Sequence, residues 1–532
     1  MKQGNALSRW FRQFVWSGLI LLAAVATSSA QQASPPAEAP SMDAAIHELQ
    51  QQVQELRAAV AEVHSEAAQY RAETAELRRQ LQATQTQLAA AIAAPTPPTE
   101  STNVESAPAA ETAATSSEKP AASLEDRVAS LEESSQLLNG KVDDQYQTKV
   151  ESASKYHVRF SGIALLNLFS NRGPTDNQSV PAWATAPSPF DSKGDFGATL
   201  NQSELGLEVF GPTIAGARTT GSVQVDFSGG FANTANGTNF GLVRLRTANL
   251  RMDWKNTSIV AGQDNLFLSP LSPTSFASLA EPAFSYAGNL WGWIPQVRIE
   301  HRFDLSDTQQ LLIQGGILDN VTGEPPYYAF QRTAQAGERS SQPGFGARVA
   351  WTYNLFGHPA TFGAAGYYSR QDWVIDHHID GWAGMTDWDI PIGSRVSVSG
   401  EYYRGLAVGG FGGGVGRSVL YSDNNFGPAT QVRGLQSEGG WAQLKVRATS
   451  KLEFNGAYGL DSPFAEYLRD FSDGQNYLGP PLSQNRSGMI NFIYRPRSNL
   501  LFSTEYRRLK TYQLDWGAWT AQQVNLMMGI LF

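Results

Sequence analysis

Eight cations beyond residue 156 stand among residues that alternate between apolar and polar: Arg159, Arg218, Arg298, Arg302, Arg348, Lys445, Arg447 and Arg507. In residues 297–303, Val297, Ile299 and Phe303 share one side of a period of two, and Arg298, Glu300 and Arg302 share the other. Residues 441–447 repeat this, with Ala442, Leu444 and Val446 opposing Gln443, Lys445 and Arg447. A period of two is the signature of a strand, whose successive side chains point to opposite faces. Were the apolar face in hydrocarbon, an Arg or Lys on it would cost roughly 2–4 kcal/mol at mid-depth. Parity therefore directs the eight cations to a wet face, together with Glu204, Glu208, Asp226, Glu300, Glu401 and Glu505. A guanidinium fork binds planar oxyanions through two parallel hydrogen bonds, and rings of Arg or Lys favour anions in a pore. Two readings follow. The wet face prefers small anions such as carboxylates or dicarboxylates, or the arginines pair with the acids in a ladder without solute preference.

Other residues with chemical potential are sparser. Asp376, His377, His378 and Asp380 have metal-ligand types but read as a solvated loop, and no metal is expected. The run 409–416, GGFGGGVG, lacks the strand–helix context of a phosphate loop and reads as a flexible surface loop. His301 is alone on the apolar face. There is no GxSxG elbow, no assembled catalytic set and no cysteine nucleophile, so an enzyme is not expected, and nothing calls for a cofactor or nucleic acid.

The elements that would position the cations are strands. About sixteen strand-like runs lie between residues 156 and 532, and the links between them alternate in length. Short links fall at 211–217, 255–256, 304–309, 354–360, 390–394, 449–451 and 495–499. Long ones fall at 171–196, 228–242, 265–296, 319–343, 371–380, 405–439, 461–486 and 510–521. Short turns at one rim and long loops at the other are the pattern of outer-membrane barrels. A soluble β-protein would also alternate, but without this two-rim asymmetry. The run 243–254 changes parity near 247–249, which points to a bulge or a subunit contact. The last run, VNLMMGILF, places Val524, Leu526, Met528, Ile530 and Phe532 on one face and closes the ring.

The third long link is itself apolar and proline-punctuated. Such a loop should not stand in water. Folded inward it would narrow the channel with Phe276, Glu281, Tyr286 and Trp291; the other place for it is a subunit contact.

The chain before the strands is different. Residues 1–30 have a basic start, a short apolar core and small residues before Gln31, as a signal peptide does. The apolar core is short of the roughly 20 residues a spanning helix needs. Residues 31–91 carry about six heptads, from Ile46 and Leu49 to Leu88 and Ala91, and read as a coiled coil; a single amphipathic helix is the alternative. Residues 92–120 are an Ala/Pro/Thr linker of disordered composition, and 121–155 hold a second, shorter heptad segment. Residues 31–155 have a net charge of −10 and residues 156–532 one of −2, so the acidity belongs to the arm. Of the 28 Lys and Arg after residue 155 only five are Lys, which favours fork-type over point-charge recognition. The absence of cysteine suits an exported chain without disulfides.

The expected fold is thus an all-β transmembrane barrel of about sixteen antiparallel strands with an N-terminal α-helical coiled-coil extension. The signal peptide, heptad arm, strand pattern, inward third loop and Phe532 together resemble the DcaP-like trimeric outer-membrane porins of Gram-negative bacteria. The resemblance implies a homotrimer in outer-membrane lipid with its arm in the periplasm, and ion and solute transport by diffusion with small anionic solutes favoured. It also implies delivery to the barrel-insertion machinery through Phe532. The alternative function is a structural anchor whose arm, about 60 Å long for six heptads at 1.5 Å per residue, tethers the membrane to the periplasm or cell wall.

Overall fold

The computed structural model describes residues 157–190, 192–230, 241–324, 332–373, 377–422, 429–471, 482–514 and 517–532. The signal peptide, both heptad segments, the linker and Asp376 lie outside the described residues.

Seventeen strands form one antiparallel sheet that closes on itself. They are β1 (His157–Arg172), β2 (Gly194–Thr199), β3 (Glu204–Ile214), β4 (Ala217–Asp226), β5 (Arg244–Asp253), β6 (Thr257–Asn265), β7 (Trp293–Ser306), β8 (Gln309–Leu318), β9 (Gly344–Leu355), β10 (His358–Trp373), β11 (His377–Ile392), β12 (Val396–Leu406), β15 (Gln436–Arg447), β16 (Leu452–Pro463), β17 (Leu482–Arg497), β18 (Leu500–Gln513) and β19 (Gly517–Leu531). A separate hairpin, β13 (Val419–Tyr421) with β14 (Val432–Gly434), sits between β12 and β15 in sequence. Strands β2 and β3 pair with consecutive stretches of β1 and make one interrupted stave, so the barrel has sixteen staves.

Closure is made by β1 against β19, from Ile163↔Leu531 to Arg172↔Gln522. The C-terminal residue completes it. The Gly162 N–H donates to Phe532 O at 2.8 Å, Phe532 N–H donates to Gly162 O at 3.1 Å, and the Phe532 ring stacks on Phe160 at 5.5 Å. A side chain at Gly162 would meet both Glu204 O and the Phe532 ring, so glycine is needed there.

The alternation expected from sequence is realised. Along β19, Val524, Leu526, Met528 and Ile530 are exposed, while Gln523, Asn525 and Met527 are buried. Val297 and Ile299 are exposed beside buried Arg298 and Glu300. The outer surface is therefore an apolar belt that includes Leu444, Phe454, Ile490 and Phe492, as a barrel in hydrocarbon requires. His301 is on this face, bonded to Thr257 Oγ1 at 2.8 Å and in edge contact with Phe303.

Seven tight turns share a rim with His157 and Phe532, the two ends of the described barrel, here the termini rim. At two of them, Ala215–Gly216 and Phe356–Gly357, both central residues have positive φ, the hairpin geometry that matches strand twist. The opposite, loop rim carries outer loops L1 (173–193), L2 (227–243), L3 (266–292), L4 (319–343), L6 (407–435) and L7 (464–481). Two links expected to be long are not. β10 and β11 stay paired to Trp373↔His377, and β18 and β19 to Gln513↔Gly517. Polar residues there, such as Arg370 and Asp380 at 2.9 Å, pair across the ladder instead of ending it.

The parity change in β5 is a bulge. Gln224 faces Thr247 and Val225 faces Leu245, which leaves Arg246 as the extra residue. Consequently Arg244, Arg246 and Arg251 all make inward ion pairs.

Ile490 is central in β17 and 63% exposed. Ile490→Arg is expected to destabilise the barrel by about 2–4 kcal/mol, read as a shift in urea-induced unfolding in lipid vesicles, while Ile490→Leu leaves the midpoint unchanged.

Candidate functional site

The eight sequence-derived cations all project to the interior, in two settings. At mid-barrel they are buried and saturated. Arg298 donates to Asp264 and Glu300, both at 2.8 Å. Arg348 grips Asp387 with two bonds, at 3.0 and 2.7 Å, and reaches Gln314. Arg507 donates to Glu505 at 2.7 Å and to Ser278 Oγ at 2.5 Å. Near the termini rim the cations are wetter and less matched. Arg159 pairs with Glu208 at 3.1 Å with both partly exposed. Arg302 lies 3.9 Å from Glu300. Lys445 and Arg447 share one carboxylate, Glu453, each at 3.8 Å. Arg218 has no ion pair among the described residues.

L3 folds into the barrel. Leu266, Phe267, Leu268, Ala277, Phe284 and Leu290 are nearly inaccessible. The loop hides its apolar residues against inward-facing wall residues, Phe276 for example against Ile163, Leu165, Ile493, Leu501 and Met527. Its backbone and hydroxyls are tethered around the wall. Ser269 Oγ and Leu271 N–H donate to Glu401 at 2.6 and 2.8 Å. Thr274 N–H donates to Gln443 Oε1 at 2.6 Å, and Asn491 donates to Thr274 O at 2.8 Å. Ser275 Oγ donates to Glu505 at 2.5 Å. Leu279 N–H donates to Gln202 Oε1 at 2.9 Å, and Gln202 reaches it because the stave is broken between β2 and β3. Wall carboxylates thus hold the loop as well as the arginines.

The four L3 residues singled out from sequence do not form one ring. Phe276 joins the wall cluster, with Arg495 over its face at 5.6 Å. Glu281 lies beside Val180, Pro181 and Ala182 of L1 and beside Arg507. Tyr286 packs edge-on against Trp183 of L1 at 5.2 Å. Trp291 makes edge contact with Trp293, and its backbone N–H donates to Phe411 O of L6 at 3.1 Å.

The glycine run of L6 is not a flexible surface loop: Gly409, Gly413 and Gly414 are buried inside the barrel. A Cβ at Gly410 would meet Val321 O, and one at Gly416 would meet the Tyr286 ring, so only glycine lets these backbones approach. Its amides are satisfied from the wall: Gly414 N–H donates to Tyr403 OH at 3.1 Å and Val415 N–H to Asp461 at 2.8 Å.

On either side of L3 lies a cavity. The one at the termini rim holds about 520 Å³ and is lined by Thr274, His358, Asp389, Arg395, Lys445 and Arg447, among others. The one at the loop rim holds about 350 Å³. They have no lining residue in common. His377, His378 and Asp380 are taken up in strand contacts: His377 with Thr430 O, His378 near Asp372, Asp380 with Arg370.

This architecture has known counterparts. The outer membrane channel DcaP of Acinetobacter baumannii matches over 72% of this chain and 100% of its own, with 18% identity and a TM-score of 0.53. The barrel has the fold of that channel. An anion-selective porin from Comamonas acidovorans matches at 10% identity over 71% of this chain and 100% of its own, with a TM-score of 0.42. OprB of Pseudomonas putida matches at 11% over 70% and 94%, also with 0.42. No protein-family model and no curated protein matches the sequence.

Parity found the inward cations of regular strands and missed Arg244, Arg246 and Arg251, which the bulge reorders. It also missed Arg395, which sits in a turn. The wall amides Gln202, Gln443 and Asn491 had no sequence signal beyond being polar.

Two loop carboxyls meet where L1 packs on L3. Burial pushes the Glu281 carboxyl up to about 7, and the neighbouring Asp176 charge adds to this. Burial also pushes Asp176 up to about 6, against the amides of Trp183 and Ala182, which donate to it. Carboxyls held above their ordinary range bind protons more readily folded than unfolded, so the stability they contribute is lost as pH rises from about 4 to about 7. Melting temperature is therefore expected to fall between about pH 4 and about pH 7, and Glu281→Gln to flatten that fall in calorimetry.

Proposed function

We propose that the protein is an outer-membrane porin that lets small hydrophilic solutes diffuse and favours small anions such as carboxylates and dicarboxylates. The supporting observation is the charge of the termini-rim cavity. Arg395, Lys445 and Arg447 line it with Asp389 as the one carboxylate of the lining, and Glu453 is the only carboxylate within ion-pair distance of Lys445 and Arg447 among the described residues. The mid-barrel arginines have their forks filled by acids and contribute walls and loop anchorage. Selectivity is thus assigned to the rim. The cavity's Ser394, Ser397, Ser399 and Thr274 supply hydroxyl donors beside the cations, suited to a carboxylate passing from one hydrated cation to the next.

Passage between the two cavities runs past L3 and the inward part of L6. A homotrimer, one pore per subunit, is the assembly proposed with this function, through the resemblance described above. Insertion through the C-terminal strand ending in Phe532 belongs to the same proposal.

Reconstituted in planar bilayers under a KCl gradient, the protein is expected to give a zero-current potential of the sign for chloride preference. Lys445→Glu with Arg447→Glu should reverse that sign, whereas Arg348→Gln should not. A barrel that carries no current defeats the proposal. Removing residues 409–416 should raise single-channel conductance, because the buried glycine run occupies the interior.

A further inference from the structure

We propose that the outer face of β1, β17, β18 and β19, at its loop-rim end, is a docking site for a phosphorylated glycolipid of the outer leaflet. Four cations stand there. Along β18, Arg507 and Leu509 are buried while Arg508 is exposed, so Arg508 points away from the bore. Lys510 and Arg172 share that face. Arg508 pairs with Gln522 across the β18–β19 ladder, and Gln522 pairs with Arg172 across the closure seam. Arg486 stands directly opposite Lys510. These four strands hold one acid, Glu505, and it is buried on the inner side. None of the four cations has an ion pair among the described residues.

Position decides what these cations meet. One step toward the termini rim the same face reads Ile490, Tyr506 and Val524, paired across β17–β19 and all exposed. That row is the edge of the apolar belt, so the cations lie in the head-group layer. They lie on the side of the long loops, which in outer-membrane barrels is the external one. Elsewhere on this outer face polar residues are matched within the chain. Arg370 meets Asp380 at 2.9 Å, and the Tyr402 hydroxyl donates to Glu438 at 3.0 Å. Those outward acids are thus taken, which leaves lipid to supply the anion for the unmatched cations.

The arrangement selects the lipid. Tyr512 has Arg486 over its ring at 5.2 Å and Lys510 at 5.0 Å. Two like charges gathered on one ring repel each other until an anion joins them, and phosphate oxygens match both a guanidinium fork and an ammonium. Arg172 and Arg508 flank Gln522 at two strand spacings, roughly 10 Å. That separation is matched by a sugar frame bearing more than one phosphate, whose hydroxyls meet the Gln522 amide. Acyl chains below the sugar continue onto Ile490, Tyr506 and Val524, a surface that free phosphate cannot use.

The inference rests on the outer-membrane placement and not on conduction, so it is tested on the full-length protein in detergent by native mass spectrometry. Diphosphoryl lipid A is the probe, with monophosphoryl lipid A and inorganic phosphate as comparisons. One diphosphoryl lipid A should bind per chain, at least about fivefold more tightly than the monophosphoryl form, the equivalent of about 1 kcal/mol for one cation at a membrane surface. Inorganic phosphate at equal concentration should not displace it. Arg486→Gln, Arg508→Gln and Lys510→Gln together should weaken binding by about a hundredfold, whereas Arg486→Lys with Arg508→Lys keeps most of it and Arg370→Gln leaves it unchanged. If the triple variant fails to fold, Arg508→Gln alone, expected to weaken binding by about fivefold, decides. Unchanged lipid binding in these Gln variants, or displacement by inorganic phosphate, would overturn the assignment. So would loss of an oligomer with lipid binding retained, which would make this face a contact between copies of the chain.

Discussion

A peptide group in hydrocarbon has no water to bond with, and every feature of this fold follows from that. An open sheet would leave a column of N–H and C=O groups unmet in the membrane. The pairing of β1 with β19 removes the edge, and Phe532 adds its own backbone bonds at the seam. Once the ring is closed, one side of each strand meets lipid and the other meets water, and side-chain chemistry is sorted accordingly.

Closure raises a second difficulty. Sixteen staves enclose a space wider than wall side chains can fill, and L3 and part of L6 occupy it. Their backbones pass through the interior with donors and acceptors that must be satisfied there. The wall's acids and amides meet that need: Glu401, Gln443, Glu505, Asn491, Gln202 and Asp461 each bind a loop group. The ladder of mid-barrel arginines is the counterpart of this arrangement, because acids buried to hold loops need cations beside them. Arg507 shows it directly, spanning Glu505 and the Ser278 hydroxyl of L3. Such saturated pairs define geometry more than they attract solutes. The less saturated charge is left to the termini rim.

Much of this was legible in the sequence, for reasons that can be named. Val297, Arg298, Ile299 and Glu300 declare their faces because a regular strand has a fixed period. The inward L3 was legible because an apolar, proline-punctuated loop cannot face water. What was hidden depended on departures from regularity or on long-range fit. Arg246, the extra residue of a bulge, puts three arginines inside that strict alternation misplaces. The glycine run 409–416 looks like a surface loop by composition, and only its contacts with Val321 and Tyr286 show why glycine is needed there. The stretch 371–380 reads as loop by polarity, yet its described residues extend a hairpin. Of the four L3 residues singled out from sequence, Phe276 meets the wall, Glu281 and Tyr286 meet L1 and Trp291 meets L6, because the path of a tethered loop is set by partners that sequence spacing does not show.

The tethers of L3 also carry a chronology. Ser269 is anchored by a residue 132 positions later in the chain, and Ser275 by one 230 positions later. Contacts between such distant residues form late, since the intervening chain must first be ordered. The wall that supplies Glu505 is among the last staves to be laid down. The loop's full set of tethers therefore waits on β18, and the bore takes its final form only when late wall and early loop are both in place.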